Sequence, residues 1–249
     1  MRECSKNILP RAGAVLVLLL LWHLLARILQ LAILPGPLEA FSVFFAEMQK
    51  GLGHHFLIST YRVLAAILVS FAVGVPLGLL LGREEKLDRF FSPFVYLIYP
   101  IPKVVFLPLV MVLLGLGDLA KIFLITLVVV FQIFMTTRDA AKGVNKAVIY
   151  SMQSLGANRL QIYLHVVWPA CLPKVLTALR IGSGTAIAIL FIAETWSSRV
   201  GLGYYLLNAW SSFMWDKVFA GIIGMAVLGF IIYTALDFLE RKLCPWEYV

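Results

Sequence analysis

Arg62, Lys103 and Glu194 are charged side chains that stand inside runs of otherwise apolar sequence. A charge held away from water is costly, so such a residue pairs, reaches for the water boundary, or marks the route of an ion or polar solute. Lys103 lies between Pro102 and Pro108, where a helix is expected to be irregular. Facing a central path it would attract an anion; otherwise it is a snorkelling or paired structural lysine. Glu194, beside Thr195 and Trp196, is placed to pair with Arg62 or Lys103 or to line that path, while Arg62, near the end of its run, suits an interfacial role. Gln132 and Thr136 add uncharged hydrogen-bonding groups, suited to helix-to-helix contacts or to the path. The path candidates are therefore Lys103, Gln132, Thr136, Glu194 and Trp196.

Covalent chemistry has no comparable support. There is no His-Glu-x-x-His, no Gly-x-Ser-x-Gly and no carboxylate pair inside an apolar run, so a membrane-embedded enzyme is the weaker alternative. His54 and His55 are neighbours, and neighbours on a helix point in different directions. His23 and His165 are isolated, and Cys4, Cys171 and Cys244 have no metal-ligand spacing, so no metal site is expected. The sequence also lacks a Gly-x-x-x-x-Gly-Lys-Ser/Thr phosphate loop. No cofactor is expected on this chain, and any ATP and Mg chemistry belongs to a partner.

The elements that position these residues follow from composition. Of 249 residues 61% are hydrophobic and only 14% charged, with a mean hydropathy of +0.93. A soluble domain carries about 25% charged residues, so the bilayer is the solvent this composition fits. Six segments reach the length needed to span: residues 12–34, 57–82, 93–116, 119–137, 181–198 and 218–238. All are expected to be helical, because a backbone in lipid must satisfy its polar groups internally. The first continues too far for a signal peptide and has no small-residue cleavage site, so it reads as a retained helix.

The net charge of +8 is a topology signal rather than a nucleic-acid stripe, because the basic residues sit in the gaps between apolar runs. With the N-terminus inside, fourteen of the 21 basic residues fall in cytoplasmic segments, including Arg2, Lys6, Arg11, Arg138, Lys142 and Arg180. Four, Lys50, Lys121, Arg199 and Lys217, fall outside. Both termini are thus expected in the cytoplasm, where the three cysteines also fall and stay reduced.

The longest cytoplasmic segment, residues 138–180, is too polar to span. Val148, Met152 and Leu155 line one predicted helical stripe, and Leu160, Tyr163, Leu164 and Val167 a second. Gly156 breaks the first helix, and Pro169 and Pro173 are expected to end the second. This bent pair has the character of a docking element, with a partnerless membrane-surface pair as the alternative. On the other side, residues 37–52 (with Phe41, Phe44, Phe45 and Met48 on one side) and the loop 198–217 with Trp210 and Trp215 are expected to lie flat on the surface. Gly74, Gly78 and Gly82 recur every four residues, a spacing that lets another helix approach closely, and Pro76 between them hints at a kink.

The docking segment resembles the cytoplasmic "EAA" loop of binding-protein-dependent ABC importer permeases: Glu-Ala-Ala, three residues, Gly, nine residues, Ile, one residue, Leu-Pro. Gly156, Val166 and Pro169 stand at the matching positions, while Tyr150-Ser151-Met152 replaces the acidic triplet. Over residues 54–246 the chain is similar to the nitrate, bicarbonate, taurine and sulfonate branch of that family. His55, Ser59 and Arg62, the Gly74/Gly78/Gly82 ladder, Tyr99-Pro100-Ile101-Pro102, Ala193-Glu194 and Gly201-Leu202-Gly203-Tyr204 carry the likeness. Gln132 stands where the family often has proline.

The resemblance implies an all-α integral membrane protein with the type I ABC importer permease fold. Residues 1–53 would form an N-terminal helix and external segment, 54–240 the transport domain and 241–249 a cytoplasmic tail. It further implies a second permease copy, two cytoplasmic ATPase subunits and an external substrate-binding protein, around a solute path through the inner membrane. The loop of Tyr150, Ser151, Met152, Ser154, Leu155, Gly156, Ala157, Val166 and Pro169 would dock in the ATPase and transmit its closure. Lys103 and the branch favour a small anion such as a sulfonate, taurine, nitrate or bicarbonate. An ATP-independent channel or secondary carrier is the other alternative.

Overall fold

A computed structural model describes residues 8–248 of the chain. The expectations for Arg2, Cys4, Lys6 and the Arg11 side chain lie outside the described residues. Every regular element among those residues is helical. In order they are α1 (Ile8–Leu29), α2 (Pro37–Glu47), α3 (Gly53–Arg83), α4 (Glu85–Ile98), α5 (Leu107–Leu114), α6 (Asp118–Lys142), α7 (Lys146–Ser154), α8 (Arg159–Ile162), α9 (Trp168–Ser197), α10 (Leu202–Ser211) and α11 (Trp215–Leu243). By length and composition the helical runs 37–83, 118–142, 159–196 and 215–243 can each cross a bilayer, α4 and α5 together form a bent span, and α1 supplies a further apolar helix.

The core is a seam between α3 and α6. A Cβ on Gly74 would lie 3.1 Å from the Val130 carbonyl, one on Gly78 would lie 2.6 Å from the Thr137 Cβ, and one on Gly82 would lie 2.6 Å from the Ala141 Cβ. The ladder on α3 therefore meets α6 four residues at a time, in parallel register, with the backbones close enough to exclude side chains. α3 runs through Pro76 as one helix. On its other side α6 meets α9, where Gly182 faces Val129, and α9 packs in turn on α11. Cys171 and Cys244 are buried in this framework, and burial raises the Cys244 thiol pKa.

Several predicted boundaries are corrected. The third span begins at Glu85 rather than 93 and is bent by 76° at residues 99–102, because Pro100 and Pro102 lack the amide hydrogens a continuous helix needs. The fourth continues to Lys142. The fifth begins at Trp168 instead of 181: Pro169 sits in the first turn, where no amide donor is needed, and Pro173 is carried inside the helix. Neither proline ends the preceding stripe, which passes through a π turn at Tyr163–Val167 into α9. The loop 198–217 is not simply surface-lying, since it holds α10 with Leu202, Gly203 and Ala209 buried. In 37–52 Phe44 is buried but Phe45 is exposed.

Basic residues counted as topology signals also tie the α7 end together. Arg138 donates to Asp88 and Ser92, and Lys142 Nζ lies 2.5 Å from Asp88. Arg180 pairs with Asp237 at 2.7 Å and with Glu240 at 3.2 Å, joining α9 to α11.

The seam predicts a contrast between two glycines. Gly78→Ala forces a methyl against Thr137 and the Phe134 carbonyl, 2.8 Å away, and is expected to cost about 1–3 kcal/mol. Gly184→Ala meets nothing within 4 Å and should stay within about 0.5 kcal/mol of the parent. Thermal unfolding of the detergent-purified variants checks both.

Candidate functional site

At the end of the bundle opposite α7, two of the charges from the apolar runs, Arg62 and Glu194, meet in a buried cluster. Glu194 on α9 is 0% exposed. Its carboxylate accepts from Arg62 Nη1 at 2.6 Å, from Ser59 Oγ at 2.8 Å and from the Gly203 amide at 2.8 Å. Arg62 donates further to the Val200 carbonyl at 2.9 Å and, through Nη2, to Asp118 at 2.5 Å. Ser59 Oγ accepts from the Leu202 amide at 2.8 Å, and His55 Nδ1 accepts from the Gly201 amide at 3.0 Å. Each buried polar group thus has partners, as a dry site demands. Arg62 is 4% exposed, so it is a buried clamp rather than an interfacial residue.

This cluster explains Gly201-Leu202-Gly203. Gly201 has φ +129, and a Cβ there would lie 2.3 Å from the Glu194 carboxyl carbon; one on Gly203 would lie 2.8 Å from the Glu194 Cβ. The loop folds over the carboxylate and gives it the Gly203 amide, while the Gly201 and Leu202 amides donate to His55 and Ser59. The arrangement holds α3, α6, α9 and the loop before α10 in one register. Its chemistry is electrostatic fixation.

Lys103 is brought to neither Arg62 nor Glu194. It sits in the 3₁₀ turn Lys103–Phe106 after the break, buried, and folds back to donate to the Ile98 carbonyl at 3.1 Å and the Tyr99 carbonyl at 2.5 Å, above the Phe131 ring. In an unbroken helix the Ile98 carbonyl would accept from residue 102, which is proline. The ammonium supplies the missing donor at the negative end of the α4 dipole. Lys121 repeats the device after α5: only 2% exposed, it donates to Leu116 at 2.6 Å and Gly117 at 3.2 Å. Lys121, one of the four outer basic residues of the sequence, is therefore a buried structural donor.

Gln132 and Thr136 are half-buried on α6, with Gln132 facing Gly182 of α9. Trp196 is 69% exposed near the end of α9. The path candidates therefore fall at three separate places on the bundle.

At the α7 end lies the bent lever. Leu155 closes α7, Gly156 takes φ +80, and the amides of Gly156 and Ala157 return to the Gln153 and Met152 carbonyls at 2.9 and 3.0 Å. This is a Schellman turn, which glycine enters without Cβ strain. Asn158 then caps α8 by accepting from the Gln161 amide while Gln161 accepts from the Asn158 amide. Ile149 is buried and Met152 half-buried, while Val148 and Leu155 are exposed, as a face kept for a docking partner would be. Leu155 is 83% exposed, and Tyr150, Leu160 and Leu164 also face outward, while Ser151 and Ser154 bond back to carbonyls one turn earlier. Val166 is half-buried and Pro169 opens α9.

A family profile described as "Binding-protein-dependent transport system inner membrane component" matches residues 74–244. The chain is 30% identical to the taurine transport system permease protein TauC of Escherichia coli K12, over 98% of this chain and 91% of that one. It is 29% identical to a putative aliphatic sulfonates transport permease protein SsuC of Bacillus subtilis, over 93% and 85%. Identity to the nitrate import permease protein NrtB of Synechocystis is 25%, over 98% and 92%. In fold it matches a chain of the MetNI methionine ABC transporter in an inward-facing conformation, with a TM-score of 0.68 and 21% identity, covering 79% of this chain and 98% of that one.

The Arg62–Glu194 pair predicts a non-additive pattern. Arg62→Met leaves a carboxylate buried without its cation and should cost about 3–5 kcal/mol. The double variant Arg62→Met/Glu194→Gln, whose amide keeps Ser59 and the Gly203 amide within reach, should recover a large part of that loss. Thermal unfolding of the four species of the cycle measures the coupling directly.

Proposed function

The chain belongs to the family of binding-protein-dependent transport system inner membrane components and is a permease subunit of an ABC importer; from that premise we propose that it carries a small anion, of the sulfonate, taurine, nitrate or bicarbonate class, across the inner membrane. The observation that carries the substrate class is the set of relatives described as taurine, sulfonate and nitrate permeases, matched over nearly the whole chain.

The α7–α8 end faces the cytoplasm in this reading, supported by the excess of lysine and arginine there. Two ATPase subunits, which hold the ATP and Mg, dock on the lever of one permease copy each. The support is a rigid turn fixed by Gly156 and Asn158, presenting Leu155, Leu160 and Tyr150 to a partner. An exposed leucine at the tip of a polar end is what an apolar partner groove would cover. Tyr150 stands where the family carries an acid, so docking here rests on apolar contact more than on charge.

A second copy completes the path. Its support is the surface of α5, where Leu109, Val112 and Leu113 are exposed. Between two copies Gln132, Thr136 and Trp196 remain the polar and aromatic groups with free surface for a solute. Glu194 and Lys103 act on the path from behind, through the elements they hold. An external binding protein delivers the solute to the α10 face.

Leu155→Asp is expected to keep its elution profile in detergent and to lower ATP-driven uptake at least tenfold in vesicles that hold the permease, its ATPase and its binding protein. Cross-linking from Ser154→Cys and Ala157→Cys should capture the ATPase subunit. Uptake that persists with no ATPase present would overturn the reading.

A further inference from the structure

α4 is a helix of 14 residues with none of them buried, yet it is not detached from the bundle: it stands off α3 and α6 and leaves two hollows between itself and them. The first, of about 820 Å³, is lined by Arg83, Arg89, Arg138, Lys142 and Lys146 against Glu85 and Asp88. The second, of about 520 Å³, is lined only by apolar side chains, among them Leu77, Leu80, Leu87, Phe91, Val130 and Phe134.

Along α3 and α6 the two hollows are stacked, while on α4 they take interleaved residues, Leu87, Phe91 and Val95 for one and Asp88, Ser92 and Tyr96 for the other. On α3 the apolar one takes residues 73–81 and the basic one 81–83, so Leu81 lines both. On α6, which runs parallel to α3, the apolar one takes residues 130–134 and the basic one 138–142. From Val130 to Lys142 a helix rises about 18 Å. The slot is therefore greasy toward the middle of the bundle and cationic toward its α7 end, which is the polarity of a phospholipid lying along the helices.

Its charge is not internally balanced. Asp88 is consumed by Arg138 and Lys142, and Glu85 lies 3.7 Å from Lys146. The side chains of Arg83 and Arg89 make no ion pair or hydrogen bond among the described residues, and both residues line the hollow. Two guanidiniums, with Ser92 and Tyr96 beside them, suit a phosphodiester bearing net negative charge, which accepts several N–H donors at once. Basic pockets between spanning helices on the cytoplasmic side take anionic headgroups by the same chemistry.

We propose that this slot binds one anionic phospholipid, its phosphate held by Arg83 and Arg89 and an acyl chain laid along Leu77, Leu80 and Phe91. Ile149 and Gln153 of α7 also line the basic hollow, so the bound headgroup lies against the underside of the lever. This goes beyond the transport reading and is tested without cargo or ATPase, so its failure leaves that reading intact.

The test uses the full chain, delipidated in mild detergent and given mixed micelles of phosphatidylglycerol or phosphatidylcholine. The lipid retained per chain is read by mass spectrometry. Phosphatidylglycerol is expected at least fivefold above phosphatidylcholine, with the preference lost in Arg83→Gln/Arg89→Gln. The tail is read from Phe91→Trp: its added fluorescence should be quenched by acyl-brominated phosphatidylglycerol and much less by the brominated choline lipid. Three outcomes overturn the proposal. They are equal retention of the two lipids by the parent, complete displacement by soluble glycerol phosphate, which would mark a free-anion site, and ready disulfide formation between two Phe91→Cys chains, which would mean that a second copy covers the groove.

Discussion

The approach of α3 to α6 is the contact on which the other elements depend. Within a bilayer, lipid is as apolar as leucine, so helices gain little by hiding from it and must gain by fitting each other. Three glycines four residues apart remove the side chains that would hold α3 away from α6. The apolar middle of that seam is fastened at both ends by charge: Arg62 of α3 to Asp118 of α6 at one, and Asp88 of α4 to Arg138 of α6 at the other. α9 then packs on the far side of α6 and brings Glu194 to Arg62. Remove the close seam and neither ion cluster has a fixed partner.

A broken span brings its own demand. Wherever the helix stops inside the membrane region, carbonyls lose their amide partners, and an unsatisfied carbonyl in an apolar medium is expensive. Lys103 meets that demand by folding its ammonium back over the Ile98 and Tyr99 carbonyls, and Lys121 covers the Leu116 and Gly117 carbonyls of the linker before α6 with the same fold-back. The charge that makes each lysine costly to bury is the charge that makes it a strong donor. This places Lys103 in the skeleton of the α4–α5 bend, with its influence on any solute exerted through the shape of that bend.

What could be read from the sequence was local. Span existence follows from apolar length, the α3–α6 seam from a four-residue glycine repeat, and the lever's bend from Gly156, because each signal lies within one or two turns. Helix boundaries at proline were not legible in the same way. Pro100 and Pro102 break a span, while Pro76 and Pro173 are carried inside continuous helices, so a proline by itself does not mark where a helix ends. Partner choice was least legible. Arg62 and Glu194 are 132 residues apart, and only packing of α9 beside α3 selects that pairing over Lys103.

The turn at Gly156 separates shape from surface. Its geometry is written by a backbone Schellman bond pair and by the reciprocal bonds of Asn158 and Gln161, none of which involves the outward side chains of Tyr150, Leu155 or Leu160. Those outward positions are consequently free to drift in step with whatever protein grips them. A departure from an acidic triplet to Tyr150-Ser151-Met152 then alters the chemical lettering of the handle and leaves its curvature untouched. Lineages sharing one scaffold would in this way keep separate engines from being interchanged.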